Sequence, residues 1–455
     1  MTTQLLLAYF LAAGLAAAPS GPKNVILMIG DGMGYNQVQA GSLYTYGAYD
    51  GQPYWRYYVD PISTQSLDNP NAYEPDRAWT SFGYFQKLPT DSAAAATAMS
   101  TGVKVQNGLI QMTEDGQRLD GLVDTAEAMG KATGVLSTVF FSHATPAAFV
   151  AHDASRKNVA EIAQEMILES PVDLILAPGH PWFDNDGKQV GGLEPDVYAS
   201  TESYDYVGGE ALFRQLREGT AGGDADADGD PDAWTLVDQT QAIQDLAQGA
   251  TPARLLGLVP VHATLRSDRG GDVAAPPYAA PINDSLPGMA DMMRAALNVL
   301  DNDPEGFFLM AEGGAIDWAA HGNQMGRLIE EQVDFDEAIG ATMAWVEQNS
   351  SWEDTLLIIT ADHETGYLWG PGTGPVDTTA ATGAAGQWLP LENRGKGQVP
   401  GHSWQIHEHT NQLVPLFARG AGAETFAKDP RGHDPFRGTY LDNTDIPKIV
   451  RRLWR

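Results

Sequence analysis

Three apolar runs without alternation stand out along the chain, and each ends abruptly in acidic residues and glycines. Asn24–Ile29 leads into Gly30 and Asp31, Gly306–Ala311 into Glu312 and Asp317, and Thr355–Thr360 into Asp362 and His363. Short apolar runs that do not alternate read as strands covered on both faces, which is the signature of a parallel sheet. Helical stretches lie between them, among them Asp291–Asp301 and Met325–Asn349. The alternation predicts an α/β fold: a doubly wound, mostly parallel central sheet with helices on both faces and surface insertions. Such sheets bind ligands beyond the carboxyl ends of their strands, so these acidic residues and His363 are expected to converge on one cleft. Residues 178–257 and 366–407, rich in turn-forming types, read as insertions, the second as a small interface subdomain. Residues 19–455 then form a single domain, with no clear internal repeat.

Composition narrows the chemistry. Of 455 residues 43% are hydrophobic, enough for a large core, and cysteine is absent, so thiolate metal sites and cysteine nucleophiles are excluded. With 59 acidic residues against 27 basic, the net charge of −32 repels a phosphodiester backbone, and no nucleic-acid partner is expected. Only nine of the cations are Lys, a balance that suits a salt-adapted, halophilic surface. The apolar stretch Leu5–Ala18, ending in Ala16-Ala17-Ala18, reads as a signal peptide over residues 1–18, with a buried N-terminal helix as the competing reading. It is too short to cross a bilayer and no later stretch looks transmembrane, so a periplasmic or secreted protein is expected.

Candidate site residues come next. Asp91 or Ser92 caps a helix through Ala95–Met99, which places Ser92 at a helix N-terminus where amide N–H groups favour a phosphate. Asp317 and His321, four residues apart, share one helix face. Asp362 and His363 follow a strand together. Carboxylates with imidazoles suit catalytic zinc, whereas Asp31, Glu312 and a hydroxyl are hard oxygen ligands suited to magnesium. The series Asp224, Asp226, Asp228 and Asp230 has the spacing of a calcium loop, but Thr235 stands where the bidentate Glu belongs, and a solvated acidic loop explains it equally well.

Six motifs, in order, resemble the alkaline phosphatase family: Gly30-Asp31-Gly32-Met33-Gly34, Thr90-Asp91-Ser92-Ala93-Ala94, His143-Ala144-Thr145-Pro146, Ser155-Arg156-Lys157, Glu312-Gly313 through Asp317 to His321, and Ala361-Asp362-His363-Glu364-Thr365. The resemblance implies hydrolysis of phosphate monoesters through a phosphoserine at Ser92, with Arg156 clamping two phosphate oxygens. It implies two zinc ions and one magnesium. Asp317, His321 and a late histidine match one zinc site; Asp31, Ser92, Asp362 and His363 match the other; Asp31, Thr145 and Glu312 match the magnesium site. His409 is the late histidine that best fits, with His407 as the alternative and His402 a further candidate. His143 and Trp318 depart from the best-known bacterial pattern and resemble the cold-active marine subgroup, as residues beside the ligands. Small phosphate esters are the expected substrates and a homodimer the expected assembly. A phosphodiesterase, a sulfatase or a secreted metal-binding protein without catalysis are the competing readings.

Overall fold

The structure is a computed structural model that describes residues 21–69, 71–191, 201–225, 231–376 and 385–455. The stretch read as a signal peptide and the loop aspartates Asp226, Asp228 and Asp230 lie outside the described residues. In chain order the strands are β1 (Asn24–Gly30), β2 (Tyr58–Ser63), β3 (Ala132–Ser137), β4 (Leu174–Ala177), β5 (Thr235–Val237), β6 (Leu255–Leu258) and β7 (Phe307–Gly313). There follow β8 (Thr355–Ala361), β9 (Glu364–Thr365), β10 (Gly374–Pro375), β11 (Gly386–Gln387), β12 (His409–Thr410), β13 (Val414–Gly420), β14 (Gly432–Asp434) and β15 (Gly438–Asp442).

One 11-stranded sheet dominates, in the order β14-β15-β2-β13-β8-β1-β7-β3-β4-β6-β5. From β8 to β5 every neighbouring pair is parallel, and β13 then runs antiparallel to both β8 and β2. The three apolar runs of the sequence are β1, β7 and β8, adjacent at the centre and buried at every position. That is why they carry no polar alternation: neither face meets water.

Helices cover both faces. On one side Met289–Leu300 packs on Met325–Asn349, which packs in turn on Tyr35–Tyr46 and Ala315–His321. On the other, Ser92–Thr101 packs on Ala144–Ala147 and on Asp445–Leu453. Among the described residues, no helix is long and apolar enough to cross a membrane.

The regions read as insertions differ from that expectation in part. Residues 178–257 supply β5 and most of β6 to the edge of the sheet, so this stretch is built into the architecture. Its turn-rich composition masks short edge strands, which need only three or four residues. Residues 366–407 follow β9, which lies outside the central sheet, and carry the β10–β11 ribbon, yet bury Tyr367, Trp369 and Leu391. Tyr367 and Trp369 join a second hydrophobic cluster with Tyr73, Phe82, Tyr84, Phe85 and Leu413.

Candidate active site

Strand register brings the first group together. Gly30 of β1 pairs with Gly313 of β7 on one side and with Ala361 of β8 on the other, so Asp31 and Asp362 emerge at the same level. Gly32, at φ +69°, turns the chain so that its amide donates to Asp362 Oδ1 at 3.0 Å. A Cβ at Gly32 would come within 2.9 Å of Asp317 and of Thr365 Oγ1, so the turn requires glycine. His363 Nε2 lies 3.4 Å from Asp31 Oδ1, 3.2 Å from Asp362 Oδ2 and 3.3 Å from Ser92 Oγ. Ser92 is the first residue of its helix, because Asp91 is the N-cap and accepts from the Ala94 amide at 2.9 Å.

A second group adjoins it. His321 Nε2 is 3.4 Å from Asp317 Oδ2 and 3.0 Å from His409 Nε2, and His409 Nε2 is 3.6 Å from Asp317 Oδ1. The Nδ1 atoms of both rings meet carbonyl oxygens: His409 donates to Thr90 O at 2.8 Å and His321 to His407 O. A carbonyl only accepts, so Nδ1 carries the proton and Nε2 keeps its lone pair on the site side. His407 is exposed and uses its own Nδ1 on His321 O at 2.8 Å, and His402 Nδ1 is 2.9 Å from Pro400 O. Of the three late histidines, His409 is the one brought to Asp317.

The third group is centred on Glu312. Ser137 lies opposite it in the ladder and donates its hydroxyl to Glu312 Oε2. Asp31, His143 and Glu312 each place a ligand atom within 4.8 Å of the others. The same holds for Asp31, Asp362 and His363, and for Asp317, His363 and His409. Arg156 Nη1 pairs with Asp91 Oδ2 at 3.0 Å, and its Nη2 lies 3.3 Å from His143 Nε2. Trp318 stands edge to face against His143, ring centroids 5.8 Å apart. Of the proposed calcium loop, Asp224 alone is described, so that reading gains no geometry.

With this arrangement in place, the comparisons with known proteins decide the family. The alkaline phosphatase family profile matches residues 22–385. The chain belongs to the alkaline phosphatase family. It is similar to alkaline phosphatase 3 of Bacillus subtilis, 30% identical over 94% of this chain and 88% of that one. It is also similar to the alkaline phosphatase of Escherichia coli, 32% identical over 88% of this chain and 82% of that one. The cold-active alkaline phosphatase of a Shewanella species shares the fold, with a TM-score of 0.64 at 23% identity, covering 95% of this chain and all (100%) of that one. This alkaline phosphatase is therefore a hydrolase of phosphate monoesters.

Its electrostatics call for cations. Asp31, Glu312 and Asp362 are fully buried, and both oxygens of Asp31, Oδ2 of Asp362, Oε1 of Glu312 and Oγ1 of Thr145 have no hydrogen-bond partner. Burial, reinforced for Asp31 by the charges of Asp362, Asp317 and Glu312, pushes these carboxyls up from their ordinary range. Burial likewise drives His363 well below its usual value. Buried carboxylates with open lone pairs beside neutral imidazoles are costly alone and suited to metal ions, and the donor set, wholly oxygen and nitrogen, fits divalent cations.

Sequence reasoning left several roles in this geometry unassigned. Asp91 tethers Arg156 as well as capping the Ser92 helix. Thr365 Oγ1 donates to Asp317 Oδ1 at 2.5 Å and lies 3.2 Å from His363 Nδ1, linking the first two groups. Ser137 ends an apolar strand, the one signal that could have marked it.

Proposed function

We propose that this phosphatase acts through a covalent phosphoserine at Ser92, with two zinc ions and one magnesium ion. The observation that carries the proposal is the set of orphaned buried oxygens on Asp31, Asp362, Glu312 and Thr145, gathered around the strand ends where the helix bearing Ser92 begins. Asp317, His321 and His409 would hold one zinc; Asp31, Ser92, Asp362 and His363 the other; Asp31, Thr145 and Glu312 the magnesium. When bound, the ions supply charge that acidifies the attacking hydroxyl and neutralises the phosphoryl oxygens and the departing alkoxide.

The chain's own residues then position the reactants, which is most of what phosphoryl transfer demands. Ser92 Oγ loses its proton and attacks phosphorus, an Oγ–P bond forms, the bond to the ester oxygen breaks, and the alkoxide leaves and takes up a proton. Water then cleaves the Oγ–P bond and returns Ser92 with inorganic phosphate. Arg156, held by Asp91 at one guanidinium nitrogen, offers its fork to two phosphate oxygens. Ser92 also opens its helix, where the N-terminal dipole favours a phosphate. Rapid quenching with labelled p-nitrophenyl phosphate tests the reading: label is expected on Ser92, with a burst equal to the enzyme concentration. Turnover without labelled Ser92 would refute the covalent step, and a metal-binding protein without catalysis would show neither.

A further inference from the structure

His409 reaches the cluster by an unusual route. The chain leaves the central sheet after β8, forms β9, runs through residues 366–408, and comes back as β12 to pair with β9 in a separate two-stranded ribbon. Among the described residues the ribbon itself has two ladder pairs, His409 with Thr365 and Thr410 with Glu364. Around it the Gly366 amide donates to Glu408 O at 3.0 Å, the Gln405 and Ile406 amides donate to Gly366 O at 3.2 and 3.3 Å, and Trp369 and Ser403 exchange backbone bonds. So short a ribbon is marginal by itself, and closing a long excursion has an entropic cost that it must overcome.

Glu364 supplies what the ribbon lacks. Its carboxylate, 2% exposed, accepts at Oε1 from Gln37 Nε2 at 2.8 Å and from the Leu368 amide at 3.0 Å. At Oε2 it accepts from Thr410 Oγ1 at 2.5 Å and from Gln412 Nε2 at 2.9 Å. The four donors come from the helix Tyr35–Tyr46, the start of the excursion, β12, and the residue preceding Leu413. Each bond is charge-assisted, and together they occupy the acceptor capacity of the group. Backbone space is cleared for it: a Cβ on Gly34 would lie 2.3 Å from Glu364 Cγ. Alternation along β12 does the rest, since anchoring Thr410 on Glu364 turns the adjacent His409 to the opposite side, toward Asp317.

We propose that Glu364 is a positioning residue: its buried carboxylate clamps β12 and so docks His409 onto Asp317 and His321. Its bearing on zinc rests on the proposed reading of those three residues as a zinc site. The test replaces Glu364 by Gln, which keeps the shape but turns an amide nitrogen on two of the donors. Two readouts are taken on the full chain: hydrogen exchange of residues 405–412 relative to β1 and β8, and zinc per chain after dialysis against a weak chelator. Glu364→Gln is expected to speed exchange in 405–412 at least about tenfold while β1 and β8 stay protected. It should also release one zinc, keep the other, and recover activity when excess zinc is added. Thr410→Ser should behave as wild type, and Thr410→Val should show a weaker form of the same defect. If Glu364→Gln fails to fold, Thr410→Val carries the test. Unchanged exchange in 405–412, or faster exchange with both zinc ions retained, overturns the proposal. Should wild type hold no zinc while exchange still rises in Glu364→Gln, the clamp stands and the zinc reading falls.

Discussion

The two proposed zinc sites share a cleft but are made differently. Asp31, Asp362 and His363 grow directly from the ends of β1 and β8, adjacent parallel strands buried at every position, so ladder register sets their spacing. Asp317 and His321 share a helix turn after β7, but their partner His409 returns from a distant excursion and is held by a two-pair ribbon and a buried carboxylate. One site inherits its rigidity from the core, while the other has its geometry assembled by polar contacts that can be broken singly. Metal affinity and turnover are therefore expected to be separable between the two halves.

Several substitutions break or sharpen that contrast. Ser92→Ala should have the largest effect, roughly 10^3-fold or more in kcat, with no labelled serine and metal content near that of wild type. Wild-type turnover in this variant would show that the sheet-built half does not carry the nucleophile.

Next come the ligands. Asp362→Ala and His409→Ala should each release one zinc, measured by elemental analysis. Asp362→Ala should in addition lower the melting temperature of the fold, because it leaves the neighbouring buried Asp31 without its shared cation. His409→Ala should lower the melting temperature less, because its side chain is 14% exposed and its loss leaves no fully buried carboxylate unpaired. Equal thermal losses in both variants would remove the distinction between a core-built and a contact-built site. His407→Ala should retain both zinc ions, since its ring nitrogens meet His321 O and the Asn323 amide rather than a carboxylate of the cluster.

Arg156→Ala should cost about 10^2-fold in kcat/KM, the scale of losing paired charge-assisted hydrogen bonds. Arg156→Lys should recover only part, because a lysine has no fork to span both Asp91 and a phosphate oxygen. Full recovery by lysine would show that charge alone matters there. The smallest expected effect concerns the surface. At net −32, carboxylate repulsion opposes compaction over a Debye length of ~10 Å at 0.1 M salt, falling to ~3 Å at 1 M. The melting temperature should rise by a few degrees with salt while apparent substrate affinity weakens. A flat or falling melting curve up to 2 M would defeat the salt-adapted reading without touching either metal site.

Much of this was legible in the residues themselves. Unalternating apolar runs identified β1, β7 and β8, and the helical period of Met325–Asn349 matches the observed helix from end to end. Such features are local: burial on both faces leaves a continuous hydrophobic run, and amphipathic period leaves a face. The acidic residues after the strands could be assigned to one cleft because the α/β rule places strand ends together whatever lies between. The proposed site of Ser92 was also visible, since a helix N-cap is written in adjacent residues.

Tertiary structure alone decided how distant segments meet. Periodicity by itself does not separate His407 from His409, which would share a face in an extended chain; in the structure His407 sits in a bend outside β12. The choice is made by where the ribbon starts and by Thr410 seated on Glu364. The pairing of Asp91 with Arg156, the Ser137 hydroxyl on Glu312 and the turn-rich stretch that supplies β5 likewise follow from register between segments far apart in sequence. Period and composition determine which residues are buried and which strand ends are polar. Which polar groups share a hydrogen bond is set by distances of a few ångströms that only the packed sheet imposes.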